Sequence, residues 1–521
     1  MFEEKSALHR ARLKYEPPLP PLLLDLAKVE IVEGEKVLRE SEMRFLFPET
    51  QDQTFLRLKK KEEAGKPASP LRVGVIFSGG PASGGHNVIS GLLDALQKLH
   101  PKSVLIGFLG GPSGIIDDKK KEITQSLIQE YRNTGGFDLI GSGRTKIEKE
   151  EQFKAALATV QKNNLDGLIV IGGDDSNTNA AFLAEYFLKN NVKTQVIGVP
   201  KTIDGDLRAE HLEVSFGFDT ACKVYGELIG NIARDALSAK KYYHFIKLMG
   251  RTASHITLEC ALSTHPNAAL IGEEIAERQT TLSQIVSDLA DLICTRAEQG
   301  KNYGVILVPE GLIGFIPEME RLIKELSSQT SLENIVEKLS DEGKQTFSFL
   351  PGKIQEQLLM EYDAHGNIQV SQIATEDLLL QLVDRELKKR PHYREKFNAI
   401  NHFLGYEGRS GFPSNFDATY CYALGHVAAL LINLGCTSYM ATVFNLKSSV
   451  DHWQCGGIPL VGMLHVEERK GKRVAVIQKA LVDLKGEPFL FFKKHREKWG
   501  LEDEYRYPGP MQFWDIDDIV D

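Results

Sequence analysis

The sequence predicts an α/β protein: two doubly wound, three-layer αβα domains carrying a helical insertion and an N-terminal extension. Three observations predict it. From Leu71 onward, short apolar runs alternate with amphipathic stretches, the pattern that strand–helix–strand units of a parallel sheet leave in a sequence. A second such series runs from His244 to Pro309, which implies two α/β layers with a cleft between them. Between about residues 315 and 400, Glu, Lys, Leu and Gln recur at helical spacing.

Length and composition agree with this. The chain of 521 residues, 42% hydrophobic and 26% charged, has the make-up of a soluble globular enzyme large enough for several domains. A formal net charge of −9 speaks against a general nucleic-acid binder, so any phosphate site must be local. The six cysteines include no C-x-x-C pair, which is reduced, cytoplasmic usage. With Glu3 and Glu4 ahead of the first basic residues and the apolar run Leu22 to Leu24 broken by prolines and Asp25, the first residues are not expected to act as a signal peptide. The longest apolar helix candidate, Ala423 to Leu434, is interrupted by His426 and Asn433 and too short to span a bilayer. The expectation is a cytoplasmic protein with no membrane partner.

Residues 1–70 form the extension, with Pro17 to Pro21 and the basic run Lys59-Lys60-Lys61; it reads as an arm or as a solvated leader. The first strand is Leu71 to Phe77. It runs into Ser78-Gly79-Gly80-Pro81-Ala82-Ser83-Gly84-Gly85, a turn whose backbone N–H groups can approach a phosphate at the positive end of the following helix. Gly-Lys-Ser/Thr is missing, so this is no Walker loop, and a plain tight turn is the alternative. A second strand, Ser103 to Phe108, precedes the loop Gly141-Ser142-Gly143-Arg144-Thr145-Lys146. Its Arg144 and Lys146 are candidate phosphate contacts.

Strand Gly167 to Ile171 ends in Gly172-Gly173-Asp174-Asp175, at the carboxyl edge where open α/β sheets place ligands. Asp174 can hold a hard metal through oxygen or bound water. Asp175 repels polyphosphate and fills volume a glycine would leave open, so it should select the phosphoryl donor. An ordinary strand-ending turn also suits this run. The next strand, Gln195 to Val199, closes on Pro200-Lys201-Thr202-Ile203-Asp204-Gly205-Asp206. Lys201 can offset charge on a moving phosphoryl group while Asp204 accepts a proton from an alcohol; a salt-bridged turn is the alternative. In the second series, Leu248-Met249-Gly250-Arg251, Glu310 after Val308-Pro309, and Gly405-Tyr406-Glu407-Gly408-Arg409 offer arginines for a sugar phosphate and acceptors for its hydroxyls. The domain boundaries read as 71–240 for a larger α/β domain, 241–314 for a smaller one, 315–400 for the insertion, and 401–521 for a segment returning to both and ending in the acidic tail from Asp515.

Taken in order, Gly79-Gly80, Gly172-Gly173-Asp174, Thr202-Ile203-Asp204, Met249-Gly250-Arg251, Pro309-Glu310-Gly311 and Tyr406 to Arg409 resemble the phosphofructokinase family, across residues 75 to 410. Within it the chain is similar to the pyrophosphate-dependent type in its long form. The resemblance implies Mg²⁺ at Asp174, general-base catalysis by Asp204, and pyrophosphate on Gly79 and Gly80. It gives Thr202, Ile203, Met249, Gly250, Arg251, Glu310, Tyr406, Glu407, Gly408 and Arg409 to fructose 6-phosphate. ATP-dependent relatives of the bacterial type carry glycine where this chain has Asp175 and Lys201, so the resemblance implies that Asp175 obstructs the nucleotide while Lys201, with Arg144, supports transfer from pyrophosphate. Lys241 and Tyr242 match positions that reach a neighbouring subunit's sugar site, implying a homodimer or higher homo-oligomer. Tyr406 stands where ATP-dependent relatives have histidine, and Lys241-Tyr242 near where they use arginine. The alternatives are an ATP-dependent phosphofructokinase and a non-catalytic regulatory subunit of the same fold.

Overall fold

The computed structural model describes residues 5–36, 43–63, 68–328, 335–360, 369–469 and 472–511; the acidic tail from Asp515 lies outside them. The chain divides into two compact units. Unit 1 comprises the described residues of Met1–Ala221 and Gly408–Lys479, and unit 2 those of Cys222–Glu407 and Ala480–Met511.

Unit 1 is organised by one sheet. Its strands lie in the order Val29–Lys36, Thr54–Lys60, Gln454–Pro459, Tyr439–Phe444, Gln195–Pro200, Gly167–Gly172, Arg72–Ser78, Val104–Phe108, Lys120–Ile123, with the short Ser142–Gly143 beside Arg72–Ser78. The five from Tyr439–Phe444 to Val104–Phe108 are parallel, and every residue of Gly167–Gly172 and Tyr439–Phe444 is buried. Continuous apolar runs follow from that burial on both faces. Leu168, Val170 and Val196 pack with Ala180, Ala184 and Phe187 of helix Asp174–Lys189 in one core cluster. Burying each large apolar side chain there contributes about 1.5–3 kcal/mol.

Unit 2 carries a four-stranded parallel sheet in the order Ala268–Ala269, Gly304–Pro309, Tyr243–Leu248, Ala399–Leu404. Its core joins Ile306 and Val308 to the apolar faces of helices Leu282–Glu298, Pro317–Ser327 and Thr375–Leu387. Inside it, the Lys247 ammonium donates to the Ile373 carbonyl at 3.1 Å and lies 3.4 Å from Glu376. Strand Ala268–Ala269 is short: it pairs with Ile306 and Leu307, and the Leu270 N–H donates to the Leu307 carbonyl at 3.0 Å. Ser254 Oγ accepts the Gly272 N–H at 2.9 Å and the chain turns into helix Gly272–Glu277. A mixed sheet with five parallel central strands in unit 1 and a parallel sheet in unit 2, both packed against helices, bear out the α/β expectation. Among the described residues no helix is long and apolar enough to cross a membrane.

Candidate active site

The carboxyl ends of three adjacent strands of unit 1 bring the first group of residues together. Strand Arg72–Ser78 ends at Gly79, whose φ of +88° is the left-handed conformation that glycine adopts without strain. A Cβ at Gly79 would lie 3.3 Å from the Lys201 ammonium, and one at Gly80 would overlap the Arg409 guanidinium. The glycines therefore leave room for two cations to approach the turn. Arg409 also lies 3.4 Å from the Pro81 carbonyl as a long Nε–H donor contact. The sequence reading gave Arg409 to the sugar phosphate; the fold sets it over the glycine turn.

The neighbouring strand ends in Gly172 and Gly173, and Asp174 and Asp175 form the first turn of helix Asp174–Lys189 rather than a loose turn. Carboxylates there are favoured by the helix dipole, by about 0.3–1 kcal/mol each. Asn177 Nδ2 donates to the Gly172 and Gly173 carbonyls at 2.7 and 2.9 Å, and Ser176 Oγ donates to Ser78 Oγ at 2.8 Å. These bonds fix the two strand ends against each other. Asp175 Oδ1 accepts from the Lys146 ammonium at 3.2 Å, so the residue expected to select the donor is held by a lysine from the Arg144 loop.

The third strand delivers Lys201, which is buried and whose N–H donates to the Gly172 carbonyl at 2.9 Å. Beyond it, Thr202 Oγ1 accepts the Asp204 N–H at 3.1 Å, and the Thr202 carbonyl accepts from Ser215 Oγ at 2.8 Å. Ile203, between Thr202 and Asp204, is buried. Burial pushes the Lys201 ammonium down to about 8; the Asp204 carboxylate and, more weakly, Asp174 pull it back up, while Arg409 and Arg144 push it down. Lys201 is thus the electrostatic centre of Asp204, Arg409, Asp174 and Arg144.

One member of the site was not foreseen. The Lys479 ammonium lies 3.6 Å from Asp174 Oδ2 and 3.9 Å from Asp206 Oδ2. Asp206 had no assigned role, and Lys479 lies more than two hundred residues downstream in a segment with no chemical signature. Asp174 and Asp206 converge on a position now taken by a positive charge. Two carboxylates suit a hard divalent cation that keeps waters and substrate oxygens as its other ligands. Among the described residues no group of three or more His, Cys, Asp or Glu forms a complete cage.

In unit 2 the carboxyl ends of three strands gather the second group. The Gly250 N–H donates to Glu310 Oε2 at 3.0 Å, the Met249 N–H to the Leu404 carbonyl at 3.0 Å, and the Gly405 N–H to Glu407 Oε2 at 3.0 Å. A Cβ at Gly311 would overlap the Arg251 carbonyl, so the two loops touch backbone to backbone. Arg251 and Tyr406 are exposed and Glu310 is buried; Gly408, expected beside them, is buried and belongs to unit 1. Lys241 and Tyr242 stand apart, exposed at the opposite end of strand Tyr243–Leu248 from Arg251.

A profile of the phosphofructokinase family matches residues 72–432. The chain belongs to the phosphofructokinase family. Phosphoryl transfer in this family calls for a divalent metal. Among curated relatives of this phosphofructokinase, the pyrophosphate–fructose 6-phosphate 1-phosphotransferase of Porphyromonas gingivalis is 48% identical over 99% of this chain and 97% of its own. The enzyme of that name from Treponema pallidum is 51% identical, over 98% of this chain and 94% of its own. The subunit beta 1 of the Arabidopsis thaliana enzyme is also 51% identical, over 98% and 92%. The crystal structure of a pyrophosphate-dependent phosphofructokinase from Nitrosospira multiformis aligns over 87% of this chain and 96% of its own with a TM-score of 0.57 at 16% identity, a likeness of fold.

Proposed function

We propose that this phosphofructokinase reversibly transfers a phosphoryl group from pyrophosphate to the 1-hydroxyl of fructose 6-phosphate, giving fructose 1,6-bisphosphate and phosphate. The observation that carries the reading is buried Lys201 packed on Gly79, beside a helix that opens with Asp174 and Asp175. Pyrophosphate lies on the Gly79–Gly80 turn, where Lys201 and Arg409 meet its charge and Arg144 assists. Asp174, with Asp206, would hold Mg²⁺, which supplies neutralisation of the phosphate oxygens when bound. Asp204 takes the proton of the hydroxyl, whose oxygen bonds to the distal phosphorus as the bridging P–O bond breaks and phosphate departs. Met249, Gly250, Arg251, Glu310, Tyr406 and Glu407 are the sugar-phosphate residues in this reading, with Thr202 beside the base.

Supplying fructose 6-phosphate and Mg²⁺ with either pyrophosphate or ATP tests the proposal: fructose 1,6-bisphosphate should form with pyrophosphate, and formation with ATP alone would overturn it. Arg251→Ala should raise KM for the sugar phosphate by about tenfold or more, since a charge-assisted contact to phosphate is lost, with kcat much less affected; an unaltered KM would remove Arg251 from the assignment.

The Lys201 ammonium must be protonated to offset phosphoryl charge. Because burial sets it near 8, kcat/KM for pyrophosphate should decline as pH rises through about 8. At saturating pyrophosphate the decline should move to higher pH, because the bound anion favours the ammonium. A profile flat from neutrality through the alkaline range would contradict this role.

We also propose a homodimer or higher homo-oligomer. A six-residue strand spans about 20 Å at about 3.3 Å per residue, so Lys241 and Tyr242 are too far along it from Arg251 to serve the same sugar phosphate in their own chain. Sedimentation at micromolar concentration should give at least twice the chain mass of 58.1 kDa; a monomer would refute it.

A further inference from the structure

Lys479 reaches the donor residues from a separate piece of the chain. Strands Leu464–Arg469 and Lys472–Ile477 form an antiparallel hairpin, and Leu464, Ala475 and Ile477 are buried in the same core cluster as helix Asp174–Lys189. The Ile477 N–H donates to Thr178 Oγ1 at 3.3 Å, on the turn of the helix that follows Asp174. Two residues later, the Lys479 side chain arrives about one-third exposed beside Asp174 and Asp206. Core packing and the bond to Thr178 pin the hairpin end, so the backbone that carries Lys479 is placed independently of the ion pairs its side chain makes.

We propose that Lys479 is a donor-site residue: its ammonium holds the Asp174–Asp206 carboxylates in the free enzyme and passes to the phosphate oxygens of pyrophosphate when a divalent cation takes those carboxylates. This rests on the reading of unit 1 as a pyrophosphate site. A divalent ion and an ammonium on the same carboxylate repel each other, so metal binding displaces the lysine. Its four-carbon stem is flexible and its head has three donors, and the partial exposure leaves it room to turn. With the metal in place, the strongest negative charge within its reach is the donor. Lysine here compensates the carboxylates in one state and the polyanion in the other, which keeps two acidic side chains tolerable in a site built for an anion.

The test uses the full chain with Lys479→Met, which keeps the stem and removes the charge, and Lys479→Arg, which keeps the charge. With Mn²⁺ alone, followed by electron paramagnetic resonance, K479M should bind the ion roughly fivefold more tightly because a competing cation is gone. Its KM for the metal–pyrophosphate complex should rise about tenfold through loss of a charge-assisted contact, with kcat less affected, and K479R should restore both parameters toward wild type. An unchanged Mn²⁺ affinity or an unchanged KM in K479M overturns the assignment, as does a K479R variant that behaves like K479M. Wild-type turnover with pyrophosphate is measured alongside: its absence would remove the donor reading itself, whereas a wild-type enzyme that turns over beside an unaltered K479M removes Lys479 alone.

Discussion

Asp204→Ser should lower kcat by roughly 10²–10⁴-fold, the usual contribution of a positioned general base, while KM for both substrates changes little. The loop should survive the substitution. Its shape is set by the Asp204 N–H donating to Thr202 Oγ1 and by the Ser215 hydroxyl donating to the Thr202 carbonyl, and neither bond uses the Asp204 carboxylate. Serine is too weak a base to take the hydroxyl proton near neutrality. A second consequence separates loss of the base from general damage. The Asp204 carboxylate is the largest influence holding the Lys201 ammonium up against burial, so in Asp204→Ser the residual activity should lose its alkaline limb at lower pH than in the wild type. A near-normal rate, or an alkaline limb left in place, would take Asp204 out of this role.

The strands that form both sheets were legible because parallel strands covered on both faces become unbroken apolar runs; Gly167–Gly172 and Gln195–Pro200 are examples. Their glycine-rich and acidic ends were legible for the same reason, since a strand's end fixes where its loop lies. The strands Val29–Lys36 and Thr54–Lys60 were not read. The first is largely exposed and rich in charge, and what makes the second part of the sheet is pairing of Arg57 and Leu56 with Gly456 and Gly457, far away in sequence. Lys479 was hidden in the same way, because its partners Asp174 and Asp206 are brought to it only by the packing of a C-terminal hairpin. Arg409 was visible but grouped by adjacency with Tyr406. The division between the units falls between Glu407 and Gly408, so neighbours in the sequence belong to different bodies, and Arg409 packs on Gly80.

Replacing Asp175 and Lys201 together by glycine should depress pyrophosphate use strongly and make ATP turnover measurable. The two substitutions act differently. Asp175 is exposed at the first turn of its helix, with Lys146 as its partner. Its removal frees volume, deletes a negative charge, and releases the Lys146 ammonium toward an incoming polyphosphate. The cost in stability is small, about 0.3–1 kcal/mol for a carboxylate at a helix N-terminus. Asp175→Gly alone should therefore fold and show the larger part of the gain with ATP. Lys201 is buried against Gly79, and a unit charge about 4 Å from a phosphate oxygen is worth about 4 kcal/mol at an effective dielectric constant of 20. Part of that is offset by its own desolvation, leaving a loss of roughly 10²–10³-fold in kcat/KM for pyrophosphate in Lys201→Gly. Comparing kcat/KM for the two donors across the single and double variants checks the argument. If Asp175→Gly admits no ATP and the double variant retains the wild-type preference, the donor is chosen elsewhere than by the carboxylate that Lys146 holds at the head of this helix.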